Sequence, residues 1–163
     1  MRRTCLKTAK CPVARSLDVV GDWWTLLIVR EALKGARRFG EFQKALGLAK
    51  NILSTRLREM AAAGILEVRP AEDGGAHSEY HLTEAGARLQ IVLVALRQWA
   101  EESLYAAGEP MTVMVDKEKG EPVQRLRLLA KDGRPLEPGD TTVKDGRASA
   151  SKRSARPPAP HAS

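Results

Sequence analysis

The chain has 163 residues, with 27 Lys or Arg against 20 Asp or Glu and a formal net charge of +7. This length fits one domain of ordinary size with an appendage, and the positive charge favours an anionic partner. The sequence contains no run of about 18 apolar residues, which is the length that spans a membrane. Its first residues lack the apolar region of a secretory signal. Two cysteines do not make a disulfide scaffold, so we expect a cytoplasmic protein.

Residues 1–10 are expected to form a basic arm, and two helices are predicted after it. The first helix runs from Pro12 to Val20, with proline at its first position. The second runs from Trp23 to about Lys34, with Asp22 as its N-cap and Gly35 as its stop.

The next two helices and the turn between them form a helix-turn-helix pattern. Phe39 to Leu46 is predicted to be the positioning helix, and about Ala49 to Ala63 the second helix. One face of the second helix is apolar, while the opposite face carries amide, hydroxyl and cationic groups, with no acid before Glu59. Such groups read base edges in the DNA major groove, although a cluster of cations can also be only a solvated face. The side chains expected to contact DNA here are Arg37, Arg38, Lys50, Asn51, Ile52, Ser54, Thr55, Arg56 and Arg58.

A hairpin is predicted immediately after these helices. Its strands are Ile65 to Arg69 and Ser78 to Leu82, and Asp73-Gly74-Gly75 supplies the turn. Arg69 and His77 lie near the tip, where a wing contacts phosphates or the minor groove. A helix-turn-helix followed by such a hairpin predicts a winged helix-turn-helix, a mainly α fold with a small β-hairpin wing (α+β).

A long helix is predicted from Thr83, as its cap, to about Ala106. Between Ile91 and Leu96 this helix is apolar all round, which indicates burial against a second copy of the chain. Alternatively, the first helix and the C-terminal residues cover the extra face within one chain. A two-fold dimer predicts a palindromic DNA site with half-sites about 34 Å apart. The residues expected at the dimer interface are Leu17, Leu89, Val92, Leu93, Leu96 and Trp99.

Residues 108–144 are predicted to form a small β-rich C-terminal appendage. Two short strands, Met111–Val115 and Val123–Ala130, flank the turn Asp116–Glu121, and Lys131–Arg134 forms a second turn. The appendage either braces the long helix or encloses an effector pocket. Residues 145–163 are mostly Gly, Ala, Ser, Lys, Arg and Pro, which predicts a disordered basic tail.

Several segments together resemble the HxlR-type bacterial transcriptional regulators. They are Cys11–Ile28, Arg38–Phe42, Leu53–Met60, Gly64–Leu66 and Tyr80–Gly86, and they occur in order and at matching separations. The resemblance covers about residues 11–104 and implies that residues 11–107 form a DNA-binding and dimerisation domain related to the MarR group. It also implies that the helix around Asn51 to Arg58 lies in the major groove.

Two positions depart from the family pattern. Ala49 stands where the family commonly has serine, and Asn51 stands where it commonly has lysine. Without the serine the helix loses its usual N-cap, which costs about 1 kcal/mol. Asparagine in place of lysine at position 51 can change the base preference.

Members of that family often sense electrophiles or oxidants through the cysteine just before the first helix, the position of Cys11. We expect this thiol to be reactive, because it lies at a helix N-terminus near Lys7, Lys10 and Arg15. Its oxidation or adduct formation would shift the two subunits, with Cys5 as a candidate resolving partner. Alternatively Cys11 is simply packed and the effector is a small molecule.

Neither catalysis nor a metal or other cofactor is expected. His77 and His81 lack a third ligand nearby, Cys5 and Cys11 lack the usual zinc spacing, and no Gly-rich phosphate loop or serine nucleophile motif is present. A winged helix used only for protein interaction is the stronger alternative. The acid-poor second helix favours binding of double-stranded DNA, and the resemblance implies a homodimeric repressor or activator, which would act at a palindromic operator.

Overall fold

The computed structural model describes residues 6–71, 74–75 and 77–146, so residues 1–5 of the arm and 147–163 of the predicted tail lie outside it. The described residues fall into two compact units, one up to Leu93 and one from Val94 onward. None of the helices in this part of the chain is both long and apolar enough to cross a bilayer. In chain order the elements are α1 (Pro12–Val20), α2 (Trp23–Leu33), α3 (Phe39–Leu46), α4 (Lys50–Ala62), β1 (Leu66–Pro70), β2 (Ser78–Leu82), α5 (Glu84–Ala87) and α6 (Gln90–Ser103).

The core of the first unit lies where α2, α3, α4 and β1 meet. These elements contribute Ile28, Val29, Phe42, Leu53, Leu57 and Leu66, which are all buried. Complete burial of a side chain of this size contributes about 1.5–3 kcal/mol to folding. Tyr80 of β2 packs edge-on against Phe42, with 6.5 Å between the ring centroids, and so holds the hairpin on α3.

The bounds predicted for the first four helices are confirmed to within one residue. The Oδ1 atom of Asp22 accepts a hydrogen bond of 3.0 Å from the Trp24 N–H and caps α2. Gly47 and Gly64 follow α3 and α4 with φ of +65° and +72°, which glycine adopts without strain. Ala49 provides no side-chain cap for α4, as its identity predicted.

The predicted hairpin is confirmed. Strands β1 and β2 pair antiparallel, with Leu66 opposite Leu82 and Pro70 opposite Ser78. Asp73 of the predicted turn lies outside the described residues, while Gly74 has a φ of +72°. Helices α2 to α4 and this wing form a winged helix-turn-helix, a mainly α fold with a small β-hairpin.

The single long helix predicted from Thr83 to Ala106 is wrong, because the chain forms two helices, α5 and α6. Thr83 does cap a helix, since its hydroxyl oxygen accepts a hydrogen bond of 3.0 Å from the Gly86 N–H. However, Gly86 packs so closely on the segment between α4 and β1 that a Cβ there would lie 2.1 Å from the carbonyl oxygen of Ile65. This contact fixes α5, and the chain turns at Arg88 before α6 begins.

The second unit contains the predicted turns but less β pairing than expected. Instead of the strands Met111–Val115 and Val123–Ala130 there are two isolated antiparallel bridges, Val115 with Pro122 and Leu129 with Pro135. Proline has no N–H, so neither bridge extends into a ladder. The turns are closed by hydrogen bonds from the Asp116 N–H to the Glu121 carbonyl (2.9 Å) and from the Ala130 N–H to the Arg134 carbonyl (2.8 Å).

Candidate nucleic-acid interface

The outer face of α4 presents polar side chains that the rest of the described chain leaves uncovered. Lys50, Asn51, Ser54 and Arg58 are exposed, and none of the four makes a side-chain hydrogen bond or ion pair with a described residue. On the same side, Ile52 is 41% exposed and Thr55 is half-buried. Leu53, Leu57 and Met60 on the inner face fix the helix against the core. The N-terminal half of α4 therefore offers hydrogen-bond donors, acceptors and positive charge to an external ligand.

Arg56 also lies on α4, but its guanidinium is held by two carboxylates of the same chain. It forms ion pairs with Asp22 (3.0 Å) and Glu59 (2.8 Å), and its side chain is 27% exposed. Asp22 is also the N-cap of α2, so the Asp22–Arg56 pair joins the start of α2 to the middle of α4. This geometry gives Arg56 a positioning role, in contrast to the exposed Arg58.

Arg37 and Arg38 precede α3, and both are engaged within the chain. The Nη1 atom of Arg37 donates to the carbonyl oxygens of Ala32 (2.7 Å) and Ala36 (3.0 Å). The Nε atom of Arg38 lies 3.2 Å from the carboxylate of Glu79 on β2. These two arginines connect α3 to the end of α2 and to the wing. To contact DNA as predicted, each guanidinium would have to bind the DNA and its partner in the chain at the same time.

Glu41 supports the same corner through its carboxylate. Its Oε2 atom accepts hydrogen bonds from the main-chain N–H groups of Arg37 (2.6 Å) and Arg38 (2.9 Å). These two bonds, with a smaller contribution from the nearby positive charges, lower the pKa of Glu41 below the ordinary value of a glutamate. The carboxylate is therefore ionised at neutral pH and stabilises the start of α3.

The wing carries one predicted cation that is already paired. Arg69 forms an ion pair with Glu67 on the same strand, while His77 near the tip is exposed. On β2, the buried Glu79 lies 3.2 Å from Nε2 of His81. No three His, Cys, Asp or Glu side chains of the described residues come together as a metal site.

Sequence reasoning missed the acids that hold the interface arginines. The sequence predicts Asp22 only as a helix cap and carries no indication that Glu79 is paired. Glu79 is a buried carboxylate in a strand that faces the core, a placement that usually requires a paired cation. This burial is seen only in the folded structure, because the alternation of Ser78 to Leu82 predicts the side chain of Glu79 on the polar face.

The residues expected at a dimer interface divide into two groups. Leu89 and Leu93 are partly buried against the core of the first unit, and their place at a dimer interface stays a prediction. They take these places because the break after α5 turns the start of α6 onto the core. Leu17 and Val92 in the first unit are exposed, as are Leu96 and Trp99 in the second.

Cys11 is an exposed cysteine at the N-cap of α1. Its backbone is extended, and its side chain makes no capping hydrogen bond. Pro12 occupies the first position of the helix, and the nearby Arg15 is held by the carbonyl of Ala9 (2.5 Å). Cys5 lies outside the described residues. The thiol of Cys11 is therefore accessible to solutes.

The HxlR-like helix-turn-helix model matches residues 19–107. The chain belongs to the HxlR family. Curated proteins similar to this chain are named helix-turn-helix transcriptional regulators, and the chain spans 58% of the length of the first of them.

Three relatives of this HxlR protein are informative. The crystal structure of PA1607, described as a candidate transcription factor, has 51% identity and a TM-score of 0.84, over 88% of this chain and all of that one. The helix-turn-helix transcriptional regulator Rv3095 of Mycobacterium tuberculosis is 45% identical over 92 residues, which are 56% of this chain and 58% of that protein. The redox regulator HypR in its reduced form has 30% identity and a TM-score of 0.51, over 56% of this chain and 91% of that one.

Proposed function

We propose that two copies of this HxlR regulator bind a palindromic duplex, each placing the N-terminal half of α4 in the major groove. The observation that carries this proposal is the set of exposed side chains on α4, Lys50, Asn51 and Arg58, which have no partner among the described residues. Asn and Arg each make paired hydrogen bonds to base edges, and lysine contacts phosphate or guanine. The wing, with His77 exposed near its tip, lies against the DNA backbone.

The distribution of charge along the chain agrees with contact between the first unit and DNA. Residues 6–93 contain 13 Lys or Arg and 10 Asp or Glu, whereas residues 94–146 contain 8 and 10. The first unit therefore attracts DNA and the second does not. Because the phosphate backbone dominates affinity, binding weakens steeply as salt is added.

Replacing Arg58 by alanine tests the role of α4 in DNA recognition. Arg58→Ala removes a base or phosphate contact but no contact within the described chain, so duplex affinity falls by about 1–3 kcal/mol while the fold is retained. Affinity is measured by fluorescence anisotropy with a promoter fragment at fixed salt. The control Arg134→Ala removes the same charge from the second unit and leaves affinity unchanged. Equal affinities for Arg58→Ala and the wild type would contradict the proposal and favour a protein-interaction module.

Dimerisation uses the exposed apolar side chains of α6, Val92, Leu96 and Trp99, which are spaced four and three residues apart and share one helix face. Two-fold symmetry then places the two α4 helices in successive major grooves, about 34 Å apart. On a promoter such a dimer excludes polymerase, so the regulator acts as a repressor. It works on the chromosome and therefore in the cytoplasm.

A redox effector acting on Cys11 is favoured over an unidentified small molecule by two observations. The thiol is exposed at the start of α1, and the similar protein HypR is named a redox regulator and is known in reduced and oxidised forms. In the proposed step a hydroperoxide oxidises the thiol by two electrons to a sulfenic acid and is itself reduced to an alcohol or water.

The oxidant response is tested by the same anisotropy measurement with and without hydroperoxide. Wild-type affinity is expected to change on treatment and to recover with a thiol reductant, whereas Cys11→Ser is expected to bind DNA equally in both conditions. An oxidant effect of the same size in Cys11→Ser would assign the response to another group.

A further inference from the structure

The second unit contains many apolar residues but buries none of them. No residue described from Val94 to Gly146 is buried, whereas the first unit has a continuous core. A segment of this size offsets its loss of conformational entropy only by removing apolar surface from water. The apolar residues left exposed in this unit are Leu96, Trp99, Leu104, Tyr105, Met111, Val113, Val115, Val123, Leu126, Leu128, Leu129 and Val143.

Polar groups of α6 hold the chain that follows it. The amide of Gln98 donates to the carbonyl of Gln124 (3.0 Å) and accepts from the Leu126 N–H (2.8 Å), as a neighbouring strand would. Arg97 donates to the carbonyl of Thr112, and Arg125 forms an ion pair with Glu102. These contacts are exposed, so they align the chain without supplying a core.

One edge of the segment 124–130 is satisfied, and the other is open beyond Val123, whose N–H donates to the carbonyl of Met114 (3.1 Å). Its bonds through residues 124 and 126 go to Gln98, and those through residues 128 and 130 go to the turn that follows. Bonds on alternate residues mark one edge of a strand. On the opposite edge, the main chains of Arg125, Arg127 and Leu129 make no hydrogen bond to any described residue. An open edge of this kind can pair with another strand.

We propose that this open edge and the adjoining leucines form a second interface with another copy of the chain, which completes the core that each copy lacks. Leu126 and Leu128 are two residues apart, so they share one face of the segment and can be buried together. The inference rests on the proposed homodimer, because α6, which carries the exposed Leu96 and Trp99, also aligns this segment through Gln98.

Charge favours a second copy over the other candidate occupants. The unit has 8 Lys or Arg against 10 Asp or Glu, so it does not attract DNA, and its charges of both signs permit self-association. The chain's own residues 147–163 contain cations and no acid, and Arg125 and Arg127 at the edge would repel them. A second copy supplies another open edge and a matching set of leucines.

A proline at the centre of the open edge tests this interface in the full chain. Arg127→Pro removes an N–H that has no partner within one copy, while Arg127→Ala removes the same charge and keeps the N–H. We expect the dimer dissociation constant from sedimentation to rise about tenfold or more for Arg127→Pro relative to Arg127→Ala. Hydrogen exchange at Arg125, Arg127 and Leu129 should be slow in the wild-type dimer and become fast on dilution.

A second pair of variants covers the case in which the proline disturbs the fold. Leu128→Ser is expected to weaken the dimer. Val143→Ser changes a side chain that is 97% exposed, so this variant is expected to leave the dimer intact. Equal dissociation constants within both pairs, or fast exchange at the three edge amides in the dimer, would overturn the inference. Duplex binding is measured in parallel. An unprotected edge with duplex binding retained contradicts this inference alone, whereas a protected edge with no duplex binding contradicts the proposed function alone.

Discussion

Two glycines in helices differ in the space around them. A Cβ at Gly86 would lie 2.1 Å from the main-chain oxygen of Ile65, whereas a Cβ at Gly40 in α3 would meet no heavy atom within 4 Å. We expect Gly86→Ala to destabilise the protein by about 3 kcal/mol, because main chain must move. Gly40→Ala should stabilise it by about 0.5–1 kcal/mol, because alanine restricts the unfolded chain and favours the helix.

Urea denaturation of the two variants and the wild type measures these differences directly. The opposite signs matter more than the magnitudes, since a general intolerance of helix substitutions would destabilise both variants. A Gly86→Ala protein as stable as the wild type would mean that α5 does not pack against the main chain of Ile65 as described.

The arginines near α4 show which part of the site could be predicted from sequence. Helical periodicity places Arg58 on the outer face, where it is exposed. It cannot show that Arg56 is held by Asp22, or Arg38 by Glu79, because these partners lie far away in sequence and meet only through tertiary packing. The pattern therefore predicted which cations lie near the surface, but not which of them are free.

At the scale of the elements, boundaries set by neighbouring residues were predictable and those set by tertiary contacts were not. Asp22 caps α2 two residues away, and Gly64 ends α4 through its own φ, so both signals are local. The break between α5 and α6 depends on the approach of Gly86 to Ile65, which are distant in sequence. Because an isolated glycine is tolerated inside a helical pattern, periodicity alone favours one long helix.

The strands predicted in the C-terminal part failed for a related reason. Residues 123–130 have the composition of a strand, but Gln98 takes the place of a neighbouring strand on one edge, and the other edge is open beyond Val123. Composition reports what a segment can pair with and not whether a partner is present in the same copy.

At the scale of the whole chain, the two units differ in charge and in burial. The first has a core, an excess of cations and an uncovered polar face on α4, all of which suit a DNA-binding unit. The second has a slight excess of acids and no buried residue in its described part, which suits association with another copy. We therefore assign recognition of DNA to the first unit, and stabilisation of the dimer to α6 together with the second unit.

The most direct measurement is selection of duplexes bound by the full chain from a random pool, followed by sequencing, for the wild type and for Asn51→Ala. We expect an inverted repeat with half-site centres about 10 base pairs apart, because a two-fold dimer inserts two α4 helices into successive major grooves. In Asn51→Ala the preference should be lost at the same position of both half-sites, since asparagine pairs with adenine. Enrichment of no sequence, or of a single asymmetric site unaffected by Asn51→Ala, would contradict the account.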